Sequence, residues 1–272
     1  MSATQQARNT ASRAAQSKPL EYLARGGFIG YGIIHLLFAW LALQIAFTGS
    51  GKESDQSGAL QKLAEQSFGK TLVILIIVGL VAMAIWQAFE AAVGESGQTG
   101  RTGTAERVVS GCRAVLYAYF AYLGYKVVKG VSSSQADSQQ KATSKLMDAS
   151  GGRFLVALIG LVVLGIGVGL VVYGVTKKFE KHLNTAQMGH LRQTIRRLGV
   201  AGYAAKGTAY AIAGGLIVAA AVTYDPEKAR GLDAALRTLA EQSYGKWLLA
   251  LVALGIAAYG VYCFFQARYR KV

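Results

Sequence analysis

Four side chains hold most of the chemical potential of this sequence: His35, Glu90, Arg113 and Lys206. Each lies inside or at the edge of a long apolar run, where an ionisable group is costly and marks a pathway, a bound ion or a structural pair. Glu90 closes one run, and Arg113 and Lys206 enter two others near their starts. Hairpin geometry puts all three at similar depth. They are a candidate intramembrane polar cluster, able in principle to move a proton or ion. The plainer role is helix-packing glue, a snorkelling cation or one ion pair near a helix end, and it is the expected one.

His35 is the only histidine inside an apolar run, since His182 and His190 fall in a basic segment. A bis-histidine haem needs two imidazoles at equal depth, and zinc needs three or four ligands. A hydrogen-bonded packing histidine is therefore expected, with no metal site. Cys112 and Cys263 sit in apolar runs without Cys-x-x-Cys spacing and are expected to act as small hydrophobes. No GxSxG, HExxH, P-loop or dinucleotide fingerprint occurs. No catalytic or cofactor-binding residue is assigned, and the chain is expected not to be an enzyme.

The elements that must position these residues are membrane helices. Of 272 residues 53% are apolar and only 16% charged, against roughly 25% in an average soluble protein. Six runs approach the roughly 20 residues that span a bilayer: 28–47, 71–89, 108–131, 154–176, 198–224 and 247–265. Runs this long and apolar are helical, because only helices and closed barrels satisfy the backbone in lipid. The net charge of +15 is assigned to topology and anionic headgroups, not to nucleic acid. With the N-terminus inside, 15 Lys and Arg fall on the cytoplasmic side against 12 in the outer loops. Both termini are therefore expected in the cytoplasm.

The sequence repeats itself. Residues 63–70 read LAEQSFGK and 239–246 read LAEQSYGK, and an apolar run follows each. Gly27-Phe28 corresponds to Gly202-Tyr203, Gly32 to Gly207 and Gly79 to Gly255, with a weaker copy between them. The expected fold is all-α: six transmembrane helices as three parallel tandem two-helix repeats, with short amphipathic helices in the outer loops. The boundaries follow as a basic tail over 1–24, repeats over 25–94, 108–179 and 198–272, and cytoplasmic linkers over 95–107 and 180–197. Ser57 or Asp233 is an expected N-cap of an outer helix, and Gly69, Gly152 and Gly245 are expected to end those helices in left-handed geometry. Gly26/Gly30 and Gly165/Gly169 have the GxxxG spacing of close helix contacts, with Gly167 and Gly174 extending that small surface.

The repeated GAL…LAEQSFGK (58–70), the glycines of 160–174 before Lys177-Lys178-Phe179, LG…GYAAKG (198–207), and ARGLD (229–233) with ARYR (267–270) resemble the bacterial membrane family called domain of unknown function 1206. The resemblance spans about residues 22–270 and implies a multi-pass protein of the bacterial plasma membrane, common in actinobacteria. The family usually has Arg where Lys206 stands, and Pro where Ser67 and Ser243 stand. By size the chain also resembles an accessory subunit of the corynebacterial cytochrome bcc–oxidase supercomplex. That implies cytochrome bcc and cytochrome oxidase subunits as partners, beside membrane lipids. The expected function is a non-catalytic accessory or scaffolding subunit of a larger membrane complex. Grooves lined by Gly, Tyr and Phe offer room for a lipid, quinone or carotenoid chain. The alternative is a small transporter using Glu90, Arg113 and Lys206.

Overall fold

The structure, a computed structural model, describes residues 18–48, 56–65, 69–93, 100–131 and 134–270. Most of the expected tail lies outside them, but helix α1 (Lys18–Thr48) already starts inside it. Pro19 falls in the first turn, where a residue without an N–H is tolerated. The other helices are α2 (Gln56–Ala64), α3 (Gly69–Val93), α4 (Gly100–Val128), α5 (Gln135–Met147), α6 (Gly152–Val175), α7 (Arg192–Thr223), α8 (Gly231–Ala240) and α9 (Gly245–Tyr269). Short 3₁₀ segments cover Lys178–His182, Thr185–Leu191 and Pro226–Ala229.

Five of the helical segments are long and apolar enough to cross a bilayer: Arg25–Phe47, Gly69–Ala92, Gly152–Val175, Thr185–Thr223 and Gly245–Tyr269. Helix α4 is the sixth long helix of the bundle and is more polar, with Arg107, Arg113 and Lys126 along it. The short helices α2, α5 and α8 each link the two long helices of one repeat. They therefore share one end of the bundle, the loop-helix end. The opposite end holds the close of α3, the start of α4, the 3₁₀ segments between Lys178 and Leu191, and the close of α9.

By contact the long helices follow one another in the order α4, α3, α1, α9, α7, α6, and a groove shared by α4 and α6 completes a ring. The two helices of the first repeat (α1, α3) pack together, as do those of the third (α7, α9). The middle repeat is splayed: α4 packs on α3 and α6 on α7, leaving a seam between them.

Glycine sets the close approaches, as expected where lipid supplies no hydrophobic force between helices. A Cβ on Gly32 would lie 2.8 Å from the Gly260 carbonyl oxygen, and one on Gly167 would lie 2.7 Å from that of Gly207. The α6–α7 interface continues through Gly160, facing Gly214, and Gly174, facing Tyr203. This corrects the GxxxG expectation. Gly167 and Gly174 are contact residues, and Gly30 packs near Ile76, but a Cβ on Gly26, Gly165 or Gly169 would meet nothing within 4 Å. The seven-residue spacing of Gly160, Gly167 and Gly174 keeps them on one face, whereas Gly165 and Gly169 turn outward.

Two further expectations are corrected. Gly69, Gly152 and Gly245 do not end the outer helices in left-handed geometry; each is the first residue of the following long helix. A Cβ there would strike a carbonyl oxygen of the preceding short helix, Leu63, Leu146 and Ala240 respectively. Close approach, not φ, selects glycine at this joint. Asp233 is no N-cap. Helix α8 begins at Gly231, whose φ is 66°, and buried Asp233 in its first turn accepts from Arg237 Nε at 2.9 Å.

Arginines close three helix C-termini. Arg25 donates to the carbonyls of Ala267 and Arg268 at 2.5 and 2.8 Å. Arg107 donates to Ala91 and Ala92 at 2.8 and 2.6 Å, and Arg153 to Ala221 and Val222 at 3.0 Å each. Each satisfies orphan carbonyls and sets a cation at the negative end of the helix dipole.

Candidate functional site

Three first-of-pair helices carry a polar or cationic residue followed four positions later by a ring: Tyr31 and His35 on α1, Arg113 and Tyr117 on α4, Lys206 and Tyr210 on α7. Residues four apart share a helix face, and these faces turn to the middle of the ring. His35 and Lys206 are 2% and 9% exposed, far from their usual surface positions.

The centre of the site is Lys206. Its ammonium donates to the Tyr31 hydroxyl at 2.8 Å and lies 3.3 Å from His35 Nε2. His35 Nδ1 lies 2.8 Å from the carbonyl oxygen of Tyr31, one helical turn back. A carbonyl only accepts, so Nδ1 holds the ring proton and Nε2 presents a lone pair to the ammonium. The charge is also spread over aromatic faces, with Nζ 4.3 Å from the Tyr259 ring centre, 4.9 Å from Tyr31 and 5.9 Å from Tyr210. A void of about 10 Å³ beside His35, Lys206 and Tyr210 has room for a single water.

Rings knit the site together. Tyr31 meets Tyr117 edge-on at 5.5 Å and Tyr259 at 6.3 Å, and His35 lies 4.9 Å from Tyr259. Towards the end opposite the loop helices Tyr203 stacks on Phe179 at 5.5 Å and meets Tyr259 edge-on at 5.2 Å. Phe179 belongs to the 3₁₀ segment, which folds back so that its ring rests against Gly199. The segment is tied down by the Asn184 N–H donating to the Tyr269 carbonyl at 2.7 Å and by Arg196 clamping Glu180 at 2.5 Å. The Arg196 hydrogen bond holds the Glu180 carboxyl below the usual carboxylate range, reinforced by the charges of Arg196, Arg192 and Lys177.

Arg113 stands within electrostatic range of Lys206 and of the phenols of Tyr117, Tyr203, Tyr173 and Tyr259. Glu90 is set apart from Lys206. It accepts from Ser110 Oγ at 3.4 Å between α3 and α4, and reaches the cluster through the field it shares with Arg113 at Tyr117. The structure thus brings Arg113, Lys206 and His35 into one neighbourhood and puts Glu90 at its edge. Sequence reasoning missed Tyr31, Tyr117 and Tyr259. The repeated four-residue spacing in α1, α4 and α7 is the signal that would have found the first two. Cys263 is buried and Cys112 exposed, and both are free thiols. Among the described residues no group of three or more His, Cys, Asp and Glu has metal-binding geometry.

The three-fold logic of this cluster agrees with comparison to known proteins. The family described as Domain of Unknown Function (DUF1206) matches residues 26–94, 108–177 and 201–270. The chain belongs to the DUF1206 family. Tyr31, Arg113 and Lys206 are each the sixth residue of their matched segment. The chain is similar to the uncharacterized protein YxxB of Bacillus subtilis (strain 168), 29% identical over 260 residues, covering 94% of each chain. No solved structure matches. A DUF1206 protein with these helices is an integral membrane protein in contact with lipid.

Proposed function

We propose that this DUF1206 protein is a non-catalytic accessory subunit that docks a partner membrane helix on the outward face of α6. The observation that carries this reading is the pair Gly165 and Gly169. They form a GxxxG surface with open space where a Cβ would stand, on a helix that packs its other glycine face on α7. Such a surface lets a second backbone approach closely, and helix association in lipid favours it. The exposed side chains around it, among them Leu161, Val162, Val168 and Val172, are all apolar. Cytochrome bcc and cytochrome oxidase subunits, implied by the resemblance in size, are the first partners to try.

The test is purification from the native membrane in mild detergent. The wild-type chain should bring down membrane partners in fixed proportion. A Gly165→Leu/Gly169→Leu chain should lose them with its thermal midpoint unchanged. Migration of the wild type as a free monomer would overturn the reading.

A second reading rests on the buried ammonium of Lys206 and the one-water void beside it. Here the ring of α1, α4 and α7 is an ion pathway. Reconstituted vesicles containing a pH-sensitive dye would report proton flux that Lys206→Met abolishes.

A further inference from the structure

The seam of the splayed middle repeat holds a groove of about 500 Å³, within the size range of small-molecule sites. Apart from the phenols Tyr119 and Tyr210 its walls are apolar: Leu116 and Phe120 from α4, Ile159 and Ile166 from α6, Ala213 and Ile217 from α7. At the loop-helix end the lining changes character, because α5 contributes Gln135, Gln139 and Thr143. None of the residues lining the groove carries a charge.

Gln135 supplies the second observation. It is 8% exposed, and its Oε1 has no hydrogen-bond partner among the described residues. A buried carbonyl left unpaired is costly, and native structures rarely keep one without a reason. Its backbone is fixed, since Ser134 caps α5 by accepting from the Asp137 N–H at 2.7 Å. An acceptor thus waits at the polar end of an apolar groove in the seam between α4 and α6.

We propose that this seam binds one acyl chain of a neutral glyceride, with a glycerol hydroxyl donating to Gln135 Oε1. The apolar walls select a hydrocarbon chain, and the unpaired carbonyl selects a head that donates. The lining offers a phosphate or carboxylate head no counter-ion, whereas the unpaired carbonyl gives a neutral hydroxyl a partner. The loop-helix end lies where the bilayer gives way to water, the depth at which a glyceride head resides. This site uses the α4-facing side of α6 and does not depend on the partner surface at Gly165 and Gly169.

The experiment uses the full chain in phosphatidylcholine nanodiscs and a 1-oleoylglycerol probe with a diazirine in its acyl chain. Illumination should label peptides of α4, α6 and α7, and unlabelled 1-oleoylglycerol should compete. Gln135→Leu should weaken labelling by roughly two- to tenfold, the effect of one hydrogen bond. Ile159→Trp, at an already exposed position, should block it with the thermal midpoint retained. A methyl oleate probe, with the same chain but no hydroxyl, should label as weakly as Gln135→Leu does with the glyceride. Equal labelling by the two probes, labelling that is not competed, or cross-links from the groove to another protein's helix would each overturn the proposal.

Discussion

Lys206 and Tyr31 hydrogen-bond at 2.8 Å, and they occupy the same position of the third and first repeats. Strict repetition would have set three like charges around one axis, because the middle repeat has Arg113 there. Two unit charges 4 Å apart repel by about 4 kcal/mol at an effective dielectric of 20. Tyrosine in the first repeat converts one repulsive corner into an acceptor, and His35 adds a second lone pair. Divergence at one repeated position thus makes the buried ammonium tolerable.

The Tyr31–Lys206 bond should be measurable as a coupling. Tyr31→Phe removes the acceptor and leaves the ring. A double-mutant cycle with Lys206→Met, read by thermal or denaturant unfolding in detergent, should give a coupling of about 1.5–3 kcal/mol, typical of a hydrogen bond to a charged group. Additive effects would mean that the two groups do not act as a pair.

The α6–α7 glycines should separate cleanly by face. Gly167→Ala drives a Cβ to 2.3 Å from the Ala211 nitrogen. It should cost about 1–3 kcal/mol through overpacking. Gly165→Ala and Gly169→Ala meet open space and should stay within about 0.5 kcal/mol of wild type in the isolated chain. Equal losses at all three positions would contradict the assigned faces.

What the sequence made legible follows the same division between composition and geometry. Helix number, the repeat and the short helices within each repeat are readable, because hydropathy and self-similarity do not depend on how helices face each other. The faces were not readable. Gly165 and Gly167 look alike in sequence, and only the rotation of α6 against α7 tells a contact residue from an exposed one. Depth alone groups Glu90 with Lys206, yet equal depth says nothing of angle around the ring, and Glu90 meets Ser110. The splayed middle repeat left no trace in the sequence, since a seam is defined by neighbours that do not touch.

The joint between each short helix and the long helix after it makes a sharper claim. Gly69→Ala, Gly152→Ala and Gly245→Ala should each lower the thermal midpoint, because the added methyl would strike a backbone carbonyl oxygen that cannot swing aside. Were φ the reason for glycine there, an αL-tolerant Asn would rescue each site. No rescue by Asn is expected.

Acid should release the 3₁₀ segment around Phe179. Glu180 has its folded carboxyl value depressed by the Arg196 hydrogen bond. Its unfolded value lies near the usual figure of about 4.3. Its contribution to stability is therefore complete above the unfolded value and fades as pH falls towards the lower folded one. Hydrogen exchange over Lys178–His182, corrected for intrinsic rate, should quicken below about pH 4. Glu180→Gln should already exchange quickly at neutral pH and respond little to acid. A segment equally protected at both pH values in the wild type would show that the Arg196 clamp does not hold it.

Arg25 and Arg107 each immediately precede a matched repeat, and each closes the last turn of a neighbouring long helix, α9 and α3. The corresponding residue of the third repeat is Val200, and the helix it would serve, α6, ends differently. There Thr176 Oγ1 donates to the Val172 carbonyl at 2.6 Å and the Lys177 N–H to the Gly174 carbonyl at 3.0 Å. Local groups thus do for α6 what the arginines do for α9 and α3, so the caps should not be interchangeable. Arg107→Ala frees the Ala91 and Ala92 carbonyls at once and should cost about 1–3 kcal/mol, with Arg25→Ala similar. Lysine restores the charge beside the helix end but cannot reach both carbonyls with a planar fork. Arg107→Lys should therefore recover only part of the loss in a thermal melt. Full recovery by lysine would assign the effect to the dipole alone and remove the two-carbonyl cap from the account of how the repeats are joined.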